Sequence, residues 1–299
     1  MPTIKPFKSG YVAIIGKPNV GKSAVLNYLV GEKVAIVTEK PETTRDKILG
    51  ILTREDVQVV FVDTPGIHKP RNLLGKHMTR IAKESLLEVD LIVFILDITS
   101  GITNEDEIIF NLLKDARKPA ILLINKVDLV SKSLALPLID EASKIYEFKE
   151  IIPTSATKGD NMDVLLKKVI EYLPQGPKYF SDEQLTDKTE RFLVGELIRE
   201  KALELTWEEI PHSIAVLVEE FKERPKKKLI YIRATIFIER HSQKKIVIGH
   251  KGQMLKNIGE AARKNIEDFL KKRIYLDLWV KVNENWRKDP QALKMLGYA

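Results

Sequence analysis

Two rhythms of hydrophobic and polar positions alternate along the first 173 residues. Short, nearly unbroken apolar runs occur at Tyr11–Gly16, Val57–Asp63, Asp90–Asp97, Pro119–Asn125 and Glu150–Ser155. They have strand length and are apolar at successive positions, the pattern of parallel strands covered on both faces. Between them, apolar residues recur at helical spacing around Ser23–Val30, Leu73–Leu87, Glu105–Lys114, Leu134–Phe148 and Met162–Leu173. The stretch KILGILTRE, Lys47–Glu55, adds an edge strand. Strand and helix in regular alternation predict an α/β domain with a doubly wound, mostly parallel sheet over residues 1–173.

The rhythm then changes. LPQGPKYFSD, Leu173–Asp182, contains two prolines and a glycine that break helical continuation, which predicts a linker over 174–185. A helix is expected from Asp187 to Leu205, with Phe192, Leu193, Leu197, Ile198 and Ala202 on one stripe. Two strand patterns, Ser213–Phe221 and Leu229–Glu239, flank the charged tip KERPKKK and read as a hairpin. A long helix over Gln253–Leu270 and a half-buried strand over Ile274–Val282 complete an α+β module at 186–299.

Charge sharpens this division. The net charge is +7, but the chain from Glu219 onward carries 20 Lys+Arg against 10 Asp+Glu, leaving −3 on the rest. A basic C-terminal quarter fits a polyanion-binding module, while solvated surface lysine is the competing explanation. The absence of cysteine excludes disulfides and thiolate metal sites and fits a reducing compartment. No apolar run approaches the roughly 20 residues that span a bilayer, and the N-terminus lacks the apolar core of a secretory signal. A cytoplasmic monomer is expected.

The candidate chemistry begins with GKPNVGKS, Gly16–Ser23, which fits the phosphate-loop pattern between a predicted strand and a predicted helix. Gly16 and Gly21 would let the backbone curl so that N–H groups of the loop, which includes the nucleotide-binding candidates Asn19 and Val20, face phosphate. Lys22 supplies charge, the Ser23 hydroxyl can ligate magnesium, and Ala24 opens the helix. DTPG follows at the end of the third strand, where Asp63 can hold magnesium through water and the Gly66 N–H can meet the terminal phosphate. NKVD ends the fifth strand with Asn125, Lys126 and Asp128. The Asp128 carboxylate can accept both N–H groups on the guanine edge, which adenine lacks. SAT, Ser155–Ala156–Thr157, ends the sixth, with the Ala156 N–H placed for the guanine carbonyl. All lie at strand C-terminal ends, where open α/β sheets bind ligands. The set predicts a GTPase using Mg2+ held by Ser23, Thr44 and Asp63, with Thr44 preferred to Thr43. Arg45 is expected to be a solvated surface charge. Ile67 stands after Gly66 and cannot orient water, so no catalytic residue is assigned and slow intrinsic hydrolysis is expected; His68 is a candidate replacement, with an exposed loop histidine as the commoner explanation.

With TTRD and DTPGIHKP added, these motifs resemble translation-factor-class GTPases of the TrmE–Era group. The order of the two halves is similar to members of that group with a C-terminal type II KH domain, and the resemblance covers essentially the full length. It implies that Gly249-His250-Lys251-Gly252 is a G-x-x-G loop between two helices. The preceding KKIVI is β-branched and reads locally as a strand; the resemblance makes it a short helix. It further implies binding of small-subunit ribosomal RNA near its 3′ end, a role in small ribosomal subunit assembly, potassium held by Asn19, and peripheral membrane association. Two glycines let backbone approach a sugar–phosphate chain, and Lys251 adds charge. Lys244, Lys245, Lys256, Arg263 and Lys264 would supply salt-dependent affinity. Ile246, Ile248 and Leu255, with Ile236 or Ile238, would line a base groove or pack a core. Trp279 and Trp286 are assigned to packing. The competing occupant of the module is a protein or an anionic membrane.

Overall fold

The computed structural model describes residues 6–40 and 42–298 and divides into two compact units. The first comprises the chain to Ala35, Thr44–Pro70 and Met78–Asp187. Its six strands are β1 (Lys8–Ile15), β2 (Ile48–Arg54), β3 (Val57–Asp63), β4 (Leu91–Asp97), β5 (Ala120–Asn125) and β6 (Glu150–Pro153), in the order β2-β3-β1-β4-β5-β6. All neighbours are parallel except the edge pair β2/β3. Strands β3 and β4 are buried at every position, as their nearly unbroken apolar runs require. The helices are α1 (Lys22–Val30), α2 (Leu73–Leu87), α3 (Asn104–Ala116), α4 (Ala135–Ile145) and α5 (Met162–Tyr172). One core joins Ile15, Val60, Phe94, Phe110 and Leu122 across the sheet, with Phe94 and Phe110 edge to face at 5.3 Å between centroids.

The stretch predicted as a linker is bound to this first unit. Ser9 N–H donates to the Pro174 carbonyl at 3.1 Å, the Phe180 N–H to Gln58 Oε1 at 2.9 Å, and the Ile51 N–H to the Leu185 carbonyl at 2.8 Å. Residues 174–185 therefore run along the sheet as an ordered strap, and the boundary between units falls after Asp187. Prolines and glycine here break helices without freeing the chain.

The second unit is Ile36–Thr43, Arg71–His77 and Lys188–Ala299. Two short pieces of the first half thus group with the second. The Val37 N–H donates to Glu200 Oε1 at 3.1 Å, and the Thr43 carbonyl accepts from the Arg199 guanidinium. The unit runs α6 (Glu190–Glu204), α7 (Ile210–Ser213), β7 (Ala215–Arg224), β8 (Leu229–Ile238), α8 (His241–Ile248), α9 (Gln253–Leu270), β9 (Ile274–Val282) and α10 (Pro290–Met295). Its sheet has order β7-β8-β9, antiparallel then parallel. Helices α6 and α9 cover one face, packing Ile198, Ile258, Ala262 and Ile266 on Ile232, Ala234 and Ile236. Trp286 is fully buried, its indole N–H donating to the Ser213 carbonyl at 2.8 Å. Trp279, expected to pack, stands 55% exposed, because its position alternates with Val280 on the uncovered side of β9.

Candidate functional site

Strand β1 ends into the loop Gly16–Gly21, and α1 begins at Lys22. The entry residue Gly21 is left-handed at φ 102°, a conformation that favours glycine, and a Cβ there would collide with the Asn125 side-chain nitrogen. The first turn of α1 thereby presents Lys22, Ser23 and Ala24 N–H groups without intrahelical partners, a ready anion site. Asn19 is exposed at φ 64°, while Val20 is buried.

Lys22 is 6% exposed, and its ammonium donates to the Lys17 and Gly16 carbonyls at 2.8 and 3.2 Å. Burial lowers its pKa to about 8, with the Asp63 charge pulling it back up. Asp63 is fully buried at the end of β3, where burial raises its pKa to about 6 against the opposing pull of Lys22, Ser23 and Thr44. Ser23 Oγ lies 3.0 Å from Thr44 Oγ1, and both hydroxyls reach Asp63 Oδ2, at 2.8 and 3.3 Å. These three side chains converge from α1, the connection between α1 and β2, and β3. Asp63 Oδ1 is buried without a hydrogen-bond partner, an orphaned acceptor of the kind a hydrated cation satisfies. Two hydroxyls and a carboxylate are hard oxygen donors, so the set fits Mg2+. Thr43 instead donates from its hydroxyl to the Lys40 carbonyl at 2.6 Å, closing a turn.

Asn125 joins the loop after β1 to the Ser155–Thr157 turn. Its Nδ2 donates to the Val20 carbonyl at 2.8 Å and its Oδ1 accepts from the Ala156 N–H at 3.1 Å. The Ala156 N–H, expected to face guanine, is therefore engaged by Asn125 in this structure. Ser155 is buried, and its hydroxyl lies 3.2 Å from Thr157 Oγ1 on the exposed turn. Lys126 takes φ 66°, and Asp128 stands exposed in the short turn Val127–Leu129 that follows β5.

Two expectations for the neighbouring loops change, those for Arg45 and His68. Arg45, expected in solvent, is only 2% exposed. Ile67 is 1% exposed and belongs to the core, its N–H donating to the Gly16 carbonyl at 3.1 Å. It supports the phosphate loop from behind and is not available to a water. His68 is half-buried, with Nδ1 3.0 Å from the Gly66 carbonyl.

In the second unit, KKIVI is helical within α8. Gln243 is buried and its Oε1 accepts from the Glu239 and Arg240 N–H groups at 3.1 and 2.9 Å, closing the helix start. Gln243 and Val247, four residues apart, are both buried while Lys245 and Ile246 (49% exposed) face out, the spacing of a helix and not of a strand. Gly249 (φ 74°) begins a single turn through His250, Lys251 (φ 49°) and Gly252, and α9 starts at Gln253. The loop is tight: a Cβ on Gly249 would lie 2.7 Å from Met254 Cβ and 2.8 Å from its nitrogen. Lys245, His250, Lys251, Lys256, Arg263 and Lys264 are exposed, and Lys244 is half-buried. Ile248 and Leu255 are half-buried beside the loop, but Ile236 and Ile238 are completely buried and cannot contact a base.

Comparison with known proteins agrees with this division. A family described as a 50S ribosome-binding GTPase matches residues 11–126, and the KH domain family matches residues 209–287. GTPase Era of Ruminiclostridium cellulolyticum is 48% identical over 98% of both chains. GTPase Era of Alkaliphilus metalliredigens is 46% identical over 98% of this chain and 99% of its own. A crystal structure of Era in complex with MgGDPNP and nucleotides 1506–1542 of 16S ribosomal RNA superposes with a TM-score of 0.95. It is 46% identical and covers 98% of this chain and 99% of that one.

Proposed function

The chain belongs to the Era family of GTPases, and from that premise we propose a division of labour between its two units. The first unit binds GTP and hydrolyses it to GDP and phosphate. The second clamps the 3′ end of small-subunit ribosomal RNA and so engages the small ribosomal subunit during its assembly. The observation that carries this reading is the pairing of two glycine loops of different chemistry. One is backed by Lys22, Ser23, Thr44 and Asp63, and the other lies among exposed lysines in a basic module. The solved Era complex with MgGDPNP and 16S ribosomal RNA holds both ligand classes at once.

At the nucleotide site, the loop N–H groups of Gly16–Ala24 and the Gly66 N–H take phosphate, and Lys22 turns from its loop carbonyls to the terminal phosphates. Ser23, Thr44 and Asp63 hold Mg2+, which when bound neutralises charge developing on the phosphate oxygens. Asp128 takes the guanine edge, with the Lys126 stem and the Ser155–Thr157 turn closing the base pocket. With Ile67 in the core, no side chain at that position orients the attacking water, so the free protein turns over slowly. Potassium at the exposed Asn19 is our reading of how charge is added to the loop. Hydrolysis is expected to be severalfold faster in KCl than in NaCl, and Asn19→Ala to abolish the difference; an unchanged potassium response in that variant would remove Asn19 from the role.

At the RNA site, Gly249–Gly252 lies against the strand backbone, Lys244, Lys245, Lys251 and Lys256 add charge, and Ile248 borders the bases. Among the described residues no helix is long and apolar enough to cross a membrane. We place the protein in the cytoplasm, with peripheral contact to the inner face of the cell membrane made through the same basic module. The test is binding of a short single strand with the sequence of the 16S 3′ end to the full chain, with GDP or a non-hydrolysable GTP analogue. Affinity at moderate salt should differ at least fivefold between the two nucleotides. Equal, weak binding in both states, alongside tight binding to anionic vesicles, would make the module a membrane reader.

A further inference from the structure

The connection from the end of β4 to the start of α3 carries two aspartates that the functional reading above does not use, each paired with a lysine. At its far end, Asp106 is fully buried, and its Oδ2 accepts from the Lys17 ammonium at 2.8 Å. It also accepts from the Thr103 N–H at 2.9 Å and the Thr103 hydroxyl at 2.7 Å, which starts α3. At its near end, Asp97 is 8% exposed and its Oδ2 accepts from the Lys126 ammonium at 2.6 Å. Its other oxygen takes the Thr99 N–H and hydroxyl, at 2.9 and 2.6 Å. Lys17 belongs to the phosphate loop and Lys126 to the guanine-recognition turn. One short segment therefore grips both halves of the nucleotide site.

Lys17 is not placed as a phosphate ligand. An ammonium has three donors, and Asp106 Oδ2, Ser100 Oγ at 2.9 Å and Thr103 Oγ1 at 3.2 Å accept all three. The helix N-terminus beside it is the positive end of the α3 dipole and repels a cation, so the Asp106 carboxylate is what holds Lys17 there. The carbonyl of the same Lys17 holds the Lys22 ammonium. A connected chain thus runs from Asp106 through Lys17 to Lys22. The second pair acts on the base side: with its head on Asp97, Lys126 keeps its left-handed turn, and its carbonyl accepts from the Leu129 N–H at 3.0 Å, closing the turn that presents Asp128.

We infer that Asp106 and Asp97 are positioning residues of the nucleotide site, Asp106 fixing the phosphate loop through Lys17 and Asp97 fixing the guanine-selecting turn through Lys126. The inference rests on the nucleotide-site assignment above. The two struts act on separate parts of the ligand, so their loss has separate signatures. A generalised loss of packing would move both together.

The experiment measures equilibrium binding of GTP, GDP and ITP to the full-length chain with Mg2+; ITP lacks the amino group that Asp128 would meet. Asp106→Asn and Lys17→Met should each weaken GTP and GDP in parallel by tenfold or more, with the GTP:ITP preference unchanged within about twofold. Lys17→Arg should restore binding to within threefold. Asp97→Asn should reduce the GTP:ITP preference at least fivefold while leaving the GTP:GDP ratio in place. Because removing one partner of a buried pair can unfold a domain, Ser100→Ala provides the gentler arm, with a twofold or greater loss of GTP and GDP together. Parental or tighter GTP binding by Asp106→Asn would overturn the phosphate strut, since a released Lys17 would then serve the phosphates directly. An unmoved GTP:ITP preference in Asp97→Asn would overturn the base strut. Failure of the unsubstituted protein to bind GTP would instead overturn the site assignment itself.

Discussion

Asp128→Asn is expected to lower GTP affinity by about 10²-fold or more and to raise affinity for XTP above that for GTP. The carboxylate is exposed in the turn after β5, where it can accept two hydrogen bonds from a guanine edge. Hydrogen bonds to a charged acceptor are worth about 1.5–3 kcal/mol each, so losing the charge and one acceptor costs about two decades. The amide that replaces it presents one donor and one acceptor. That pair opposes the two donors of guanine but complements the N–H and carbonyl of xanthine. Competition of GTP, XTP and ATP for a fluorescent nucleotide measures the change. Retained guanine preference would remove Asp128 from base selection, whereas a loss for all three nucleotides would indicate a damaged turn. The neighbouring Asp97 pair supplies a contrast: its loss should blur selection without creating a preference for xanthine, because the Asp128 carboxylate is still present.

That contrast marks where the sequence is legible. The motif residues could be read because their spacing is local and their context is a strand entering a loop: Gly16 through Ser23 after β1, Asp63 after β3, Asn125 after β5. The strands themselves were legible because β3 and β4 are buried at every position and so contain almost nothing polar. The struts were not. Lys17 and Asp106 are 89 residues apart in sequence, and aspartate at a helix start is ordinary capping chemistry until the fold brings a lysine to it. Composition alone favours a strand at KKIVI, which is β-branched; only the family resemblance points to the helix found there. What overrides that preference is tertiary: Gln243 turns back to take two backbone N–H groups and Val247 fills the core. Arg45 fails in the opposite direction, as a charged residue in a predicted loop that the fold buries almost completely. Ile236 and Ile238 take the core alternative and not the groove: both point with Ile232 into the helix-covered side of the sheet.

The largest effect on the second unit is expected from Gly249→Asp combined with Lys251→Asp, which should weaken single-stranded RNA binding by more than 10²-fold while leaving GTP affinity within twofold. Two terms act together. Lys251 is exposed at the tip of the turn at φ 49°, so reversing its charge replaces attraction to a phosphate by repulsion. Gly249 sits at φ 74° with Met254 against the space a Cβ would take, so any side chain there widens the turn and lifts backbone off the strand. Lys251→Asp alone separates the terms, because it carries no steric demand. It should lose about tenfold and reduce the slope of log affinity against log salt by about one, the signature of one phosphate contact fewer. The turn joins α8 to α9 at the surface, and the buried residues that anchor it, Val247 and Ile258, are untouched, so the melting temperature of the Lys251→Asp protein should stay near the parental value. An undiminished RNA affinity in Lys251→Asp, with an unchanged salt slope, would show that the strand lies elsewhere on the basic module. Loss of RNA binding with the slope preserved would instead assign the turn a shape-based role and leave the charge to Lys244, Lys245 and Lys256.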